Sequence, residues 1–120
     1  MPEAVHYRAS LVGAVAAACA YECIEWLDGL LITLDRNRKF LRDQLAEKLP
    51  SVKYRVPDTT YLAWLDISGL NLGENPTANI LENAKVAFSP GQAFAPYATQ
   101  FTRLNFATSP EIISEAIDRI

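Results

Sequence analysis

The chain has 120 residues, of which 50% are hydrophobic and 21% charged, and its formal net charge is -3. This composition is typical of one globular domain, and it excludes a disordered chain and, with only two cysteines, a disulfide scaffold. The acidic balance also argues against a nucleic-acid partner, because no face gathers the Lys and Arg that displace counterions from phosphates.

The first predicted element is an alanine-rich helix over residues 10–22. Its uncharged stretch superficially resembles a signal peptide, but Glu3 accompanies Arg8 ahead of it, so the positive leader is weak. The apolar run over residues 9–21 is shorter than the roughly 20 residues that cross a membrane. We therefore expect a buried helix in a cytoplasmic protein that has no membrane partner.

Two cysteines, Cys19 and Cys23, are spaced to share one side of this helix. Two thiols do not complete a zinc site, which needs four ligands, and the single histidine, His6, has no recognisable partner motif. The pattern predicts buried free thiols and no metal site. Unpaired thiols are typical of a reducing compartment.

A second, amphipathic helix is predicted over residues 25–49, where leucines recur every three or four positions. Pro50 ends it, because proline disfavours helical geometry in the residue before it. The two tryptophans, Trp26 and Trp64, occupy positions where core residues are expected.

After Pro50 the pattern changes to that of short strands separated by turns, with two more helices. Strands are predicted over residues 52–56, 60–67, 85–89 and 101–107, and helices over residues 76–84, capped by Asn75, and 110–120, opened by Ser109. The order predicts an α+β fold, with a three- to four-stranded sheet covered by helices and preceded by a long helical segment.

One candidate binding residue, Arg103, lies in the last predicted strand. Alternation places Leu104 and Phe106 on one face, which predicts core, and Arg103 on the other. A guanidinium is suited to carboxylates because its planar fork donates two parallel hydrogen bonds. Gly91, in the irregular loop before the strand, would let a ligand approach the backbone. Alternatively, Arg103 pairs with a structural carboxylate such as Asp66.

The sequence offers few other candidate catalytic residues. The five glycines never cluster into a phosphate-binding loop, and no nucleophile and base stand in a recognisable motif. We therefore assign no catalytic residue from the sequence.

Four runs of residues do suggest a family: EWLDGLLITLDRNRKFLRDQLAEKLP, TYLAWLDISGL, AKVAFSPGQAF and FTRLNFATSP. Together they resemble the C-terminal part of the pyridoxal-phosphate-dependent C–S β-lyases, the cystathionine β-lyase type within the class I/II aminotransferase superfamily. The resemblance covers the chain from about His6 to Ile120.

The resemblance implies fold type I, in which a large domain holds the cofactor on a lysine and a small C-terminal domain closes over the substrate. It assigns residues 1–24 to a helical segment from the large-domain junction and residues 25–120 to the small domain. The Arg of the family's RLN run binds the substrate α-carboxylate, and that position here is Arg103. The implied reaction is α,β-elimination on cystathionine or cysteine-type amino acids, which releases a thiol, pyruvate and ammonia.

The family's Schiff-base lysine and main phosphate-binding residues lie upstream of this sequence, and none of the four lysines matches them: Lys39, Lys48, Lys53 and Lys85. The resemblance thus implies pyridoxal phosphate in the parent enzyme, none held covalently by this chain, and no cofactor-binding residue here. We expect the isolated chain to be inactive. The implied partners are the missing large domain, a second copy in a homo-oligomer and a small amino-acid substrate.

The chain departs from the family between the PG turn and the RLN run, where it reads AFAPYATQF without glycine. We expect Tyr97 or Gln100 to narrow or re-aim the site beside Arg103. Three alternatives stay open: an aminotransferase small domain, a stand-alone module that binds a carboxylate without catalysis, and a structural fragment of a decayed gene, whose exposed first helix would self-associate.

Overall fold

The computed structural model describes residues 10–120. The interpretations of His6, Glu3 and Arg8 lie outside the described residues. The chain divides into two compact units, Met1–Ile32 and Thr33–Ile120. The assignment of residues 1–24 to a large-domain junction stays a prediction.

The first unit contains helix α1 (Leu11–Ala20) and the beginning of helix α2 (Ile24–Lys48). Ser10 caps α1, since its hydroxyl accepts a hydrogen bond from the Gly13 N–H at 3.2 Å. The expectation that this helix is buried is wrong, because every residue of α1 is exposed. The cysteines are free and exposed rather than buried, and Trp26 is 69% exposed. A stretch rich in alanine has high helix propensity but only a weak apolar face.

The second unit is built on a four-stranded antiparallel sheet in the order β1-β2-β4-β3. Its strands are β1 (Lys53–Tyr54), β2 (Leu62–Asp66), β3 (Ser89–Pro90) and β4 (Phe101–Asn105). Helices α3 (Pro76–Ala84) and α4 (Pro110–Asp118) begin at the predicted caps. The α+β prediction is confirmed.

One face of the sheet packs against the helices and forms the core. Ala63, Leu65, Leu104 and Phe106 contribute from the sheet side. The helices contribute Leu41 and Leu45 from α2, Ile80 from α3, and Ile113 and Ile117 from α4. We call this the inner face and the opposite one the outer face. Burial of apolar side chains on the inner face is the main stabilising term of the second unit.

A buried amide joins the C-terminal part of α2 to the chain after β4. Asn37 is fully buried, and its Nδ2 donates to the carbonyl oxygens of Phe106 at 3.0 Å and Thr108 at 2.7 Å. The hydrogen bonds satisfy two carbonyls that the strand no longer pairs. This contact holds α2 in register with the end of β4.

The strands are shorter than predicted, and the third is displaced. Residues 85–88 are not in a strand, because Lys85 adopts a left-handed conformation (φ 60°) that ends α3, and pairing begins only at Ser89. β4 ends at Asn105, whose Oδ1 accepts the Ala107 N–H at 2.8 Å and turns the chain. After β1, Arg38 Nη1 donates to the Pro57 carbonyl at 2.7 Å and thereby fixes the turn toward α2.

Within residues 10–120, no helix combines the length and apolar character that crossing a bilayer demands. The same part of the chain contains no cluster of three or more His, Cys, Asp or Glu side chains that could hold a metal ion.

Candidate functional site

Arg103 lies on the outer face, in the middle of β4. The register places it opposite Trp64 of β2 and Ser89 of β3. Its strand neighbours Thr102 and Leu104 are buried, whereas Arg103 itself is half-buried. The predicted alternation of β4 is therefore confirmed, and it presents the guanidinium on the face opposite the core of the second unit.

Two groups contact the guanidinium. Arg103 Nη2 donates to Ser89 Oγ at 3.3 Å, and Cζ lies 4.5 Å from the centroid of the Phe94 ring. A cation at this distance over an aromatic face is attracted by the electron-rich ring. Among the ion pairs of residues 10–120, none includes Arg103.

Asp66, the carboxylate considered as a structural partner for Arg103, is engaged elsewhere. It accepts a hydrogen bond from the Ser68 N–H at 3.0 Å and pairs with Lys53 Nζ at 3.4 Å. The hydrogen bonds of Ser68, assisted by the nearby Lys53, hold the pKa of Asp66 below its usual range, although partial burial opposes the shift. The described residues thus leave the guanidinium without an anionic partner.

Three aromatic rings contact one another on the outer face, and one of them, Phe94, also contacts the guanidinium. The Trp64 ring stacks on Phe101, with centroids 5.8 Å apart, and meets Phe94 edge to face at 5.7 Å. The prediction that Trp64 belongs to the core is wrong, since it is 41% exposed. The alternation of Ala63 and Leu65, which are buried, would have placed Trp64 outside.

The loop before β4 positions Phe94. A short 3₁₀ turn, Gly91–Ala93, precedes it, and the Phe94 N–H donates to the Gly91 carbonyl at 2.9 Å. A Cβ at position 91 would lie 2.3 Å from the Ala98 carbonyl oxygen. Gly91 therefore admits the chain's own backbone, in place of the ligand approach that we expected.

Phe94, which the sequence reasoning missed, is the loop residue that covers Arg103. Tyr97 and Gln100, the two residues that we expected to narrow or re-aim the site, have different surroundings. Tyr97 is 87% exposed, and Gln100 Nε2 donates to the Gly73 carbonyl at 3.1 Å. An irregular loop carries no periodicity, so no sequence pattern distinguished Phe94 from its neighbours.

This arrangement can bind a small anion. A guanidinium donates parallel, charge-assisted hydrogen bonds, and nearby rings exclude water that would weaken them. Carboxylates and phosphates both match the geometry of the fork.

Three of the four lysines lie in ion pairs, and none of the four is among the groups that contact Arg103. Lys39, Lys48 and Lys53 are paired with Asp35, Asp118 and Asp66 at 2.7, 2.5 and 3.4 Å. Lys85, the C-cap of α3, is not among the groups that contact Arg103.

No family model matches the chain, but individual proteins do. The cystathionine β-lyase of Corynebacterium glutamicum is 42% identical over 92% of this chain and 30% of that enzyme. A crystal structure of a Corynebacterium diphtheriae protein, provisionally assigned as a PLP-dependent β-cystathionase, superposes with a TM-score of 0.92 at 35% identity, covering 99% of this chain and 32% of that one. The PLP-bound C–S lyase of Staphylococcus hominis has a TM-score of 0.84 at 29% identity, covering 96% and 32%.

The chain spans about a third of the length of the curated relatives that it matches. The matching part of those enzymes is their C-terminal portion. Both the sequence identity and the superposition extend over nearly the whole of this chain. The chain therefore belongs, as the counterpart of their C-terminal third, to the pyridoxal-phosphate-dependent C–S β-lyases of the cystathionine β-lyase type.

Proposed function

We propose that this chain serves as the small, C-terminal domain of a C–S β-lyase that acts on cystathionine or cysteine-type amino acids, and that Arg103 binds the substrate α-carboxylate. One observation carries the proposal: Arg103 stands on the outer face among aromatic rings, and no carboxylate of the described residues pairs with it.

Pyridoxal phosphate, when bound in such an enzyme, withdraws electrons from the substrate α-carbon and so makes its proton acidic. The proposal locates the cofactor in the larger, N-terminal part of the enzyme, because this chain matches only the C-terminal third of its relatives. The role of Arg103 is to bind the substrate and to orient it. Two hydrogen bonds to the α-carboxylate fix the amino acid at one end, which leaves its β-carbon and sulfur to be placed by the rest of the substrate pocket.

The experiment joins this chain to the N-terminal part of the Corynebacterium glutamicum cystathionine β-lyase, in place of its matching C-terminal segment. Release of pyruvate from cystathionine measures activity, and cofactor absorbance shows that the hybrid has assembled. Arg103→Ala should lower kcat/KM about 100-fold, because two hydrogen bonds to a charged group are lost.

Arg55→Ala is the matched control, since Arg55 is an exposed arginine on the chain after β1. It should leave kcat/KM within about twofold of the parent hybrid, as surface substitutions rarely do more. Equal effects of the two substitutions would contradict the role of Arg103. A cofactor-loaded hybrid that releases no pyruvate from any C–S amino acid would contradict the lyase assignment.

We further propose that the exposed apolar residues of the first unit are covered in the whole enzyme by its larger domain. They include Leu11, Val12, Val15, Trp26 and Ile32. A patch of this kind promotes self-association when it is left uncovered, so homo-oligomers are expected. Light scattering over a range of concentrations tests this, and a monomer at every concentration would contradict it.

A cytoplasmic location is also proposed, on the unpaired cysteines Cys19 and Cys23.

A further inference from the structure

We infer that Phe94 is a positioning residue for Arg103: its ring covers one face of the guanidinium and, together with Ser89, presents the edge of the fork to a carboxylate. That the ligand is a substrate carboxylate rests on the proposed function. The positioning itself rests on two contacts, the 4.5 Å approach of Cζ to the Phe94 centroid and the 3.3 Å hydrogen bond from Nη2 to Ser89 Oγ.

Phe94 is itself held in place, which a positioning residue requires. Its backbone N–H and that of Ala95 both donate to the Gly91 carbonyl, at 2.9 and 3.1 Å. Its ring meets Trp64 edge to face, with the two planes 80° apart. The loop is tied in turn to the sheet, because the Ile67 N–H donates to the Gln100 carbonyl at 3.0 Å. The ring therefore moves with the sheet that carries Arg103.

The geometry limits how an anion can approach. A planar guanidinium can be contacted above, below or at its edge, and only the edge offers N–H donors. Arg103 Cζ lies over the Phe94 ring and Ser89 accepts from Nη2, so a ligand that accepts two parallel hydrogen bonds must come in the plane of the fork, at the remaining N–H groups. An arginine side chain has many rotamers. If contacts already order the side chain, it loses less conformational entropy when it binds a ligand.

The inference is tested first in the chain without ligand, by NMR of the Arg103 Nε–Hε group, assigned with Arg103→Lys. A proton over an aromatic face is shifted upfield by the ring current. Phe94→Leu should remove this shift, and Phe94→Tyr, which keeps the ring, should preserve it. Tyr97→Leu is the matched control, because Tyr97 is an aromatic residue of the same loop without a ring contact to Arg103. It should leave the shift unchanged.

The second arm measures binding of sodium acetate by NMR titration, with acetamide as the uncharged comparison. Phe94→Leu should weaken acetate binding about threefold, and Phe94→Tyr should restore it. In the Arg103→Lys background the Phe94→Leu substitution should have a smaller effect, since Phe94 acts through the guanidinium. Amide spectra of each variant report whether the fold is intact.

The outcomes separate this inference from the proposed function. An Arg103 Hε shift that survives Phe94→Leu, or that Tyr97→Leu removes equally, would overturn the positioning role. Acetate binding that is unchanged in Arg103→Lys would instead contradict the role of Arg103 as a carboxylate site. The ligand-free NMR result would still decide whether Phe94 orders the guanidinium.

Discussion

The two faces of the sheet are formed by the same strands, but their side chains have different surroundings. On the inner face, Leu65 of β2 and Leu104 of β4 lie on adjacent, paired strands. Both are buried beneath helices α2, α3 and α4. On the outer face, Trp64 and Phe101 stack at the surface, next to Arg103 of the same sheet. Large apolar side chains on the inner face are explained by folding alone. The aromatic rings of the outer face gain little from burial within this chain, and they are better explained by a ligand or by another part of the enzyme.

The largest difference between the faces should appear in stability. Phe106, at the end of β4 on the inner face, is fully buried, so Phe106→Ala should lower the free energy of unfolding by about 4 kcal/mol. Phe101→Ala on the outer face should cost about 1 kcal/mol, chiefly through the lost ring contact with Trp64. Urea denaturation of both variants measures the two values. Equal losses would show that the outer face is as much a part of the core as the inner one.

A smaller loss is expected at Gly91, where the outer face meets its loop. The added Cβ of Gly91→Ala would lie 2.3 Å from the Ala98 carbonyl oxygen and 2.7 Å from that of Phe101, so the backbone must shift. The free energy of unfolding should fall by about 2 kcal/mol. Gly29→Ala is the control, because nothing lies within 4 Å of its added Cβ. Urea denaturation that ranks the two variants equally would contradict the close approach at Gly91.

The inner face and the helices could be predicted from the sequence because their signals are local. Leucine spacing in α2, and the caps Asn75 and Ser109, determine where the helices run. Alternation along β4 determines which side chains are buried. The same alternation places Arg103 on the opposite face, and the resemblance to C–S lyases implies that it binds the substrate α-carboxylate.

The rest depends on contacts between distant residues. Phe94 reaches Arg103 only because Gly91 permits a tight loop, and no periodic pattern encodes that turn. The third strand was misplaced because Lys85 takes a left-handed conformation, which a polar residue adopts for local reasons that a hydrophobic pattern does not reveal. The exposure of α1 was missed because an apolar composition predicts burial without saying what covers it.

Among the described residues, two buried side-chain atoms lack a hydrogen-bond partner, Asn37 Oδ1 and the hydroxyl of Tyr54. Tyr54→Phe removes an unsatisfied group, so it should leave the stability at pH 7 unchanged or raise it by up to about 1 kcal/mol. Differential scanning calorimetry of the variant and the parent chain tests this. A clear loss of stability would show that the hydroxyl has a partner in solution.

The same residue predicts a pH dependence on the alkaline side. Burial raises the pKa of Tyr54 to about 12 from its ordinary 10. The folded chain therefore keeps a proton that the unfolded chain releases, so this contribution to stability is complete below pH 10 and is lost as the pH rises toward 12. Tyr54→Phe should show a smaller loss than the parent chain between pH 9 and pH 11, roughly the range in which tyrosine titrates.

The smallest effect is expected from Asp66, on the outer face, and it bears most directly on Arg103. The pKa of Asp66 is lowered, chiefly by hydrogen bonds from Ser68, so its contribution to stability is present above about pH 4 and is lost as the pH falls through its folded value. Asp66→Asn should therefore lower the melting temperature slightly at pH 7, and this difference should shrink as the pH falls below about 4.

Because Lys53 and Ser68 engage this carboxylate, Asp66→Asn should not alter the Arg103 Nε–Hε resonance or the affinity for acetate. Acetate binding that tightens in Asp66→Asn would mean that Asp66 competes for the guanidinium in solution. Arg103 would then form a structural ion pair with Asp66, which a ligand would have to break. An unchanged affinity would agree with the structure, in which Arg103 contacts the Phe94 ring and no carboxylate of the described residues pairs with it.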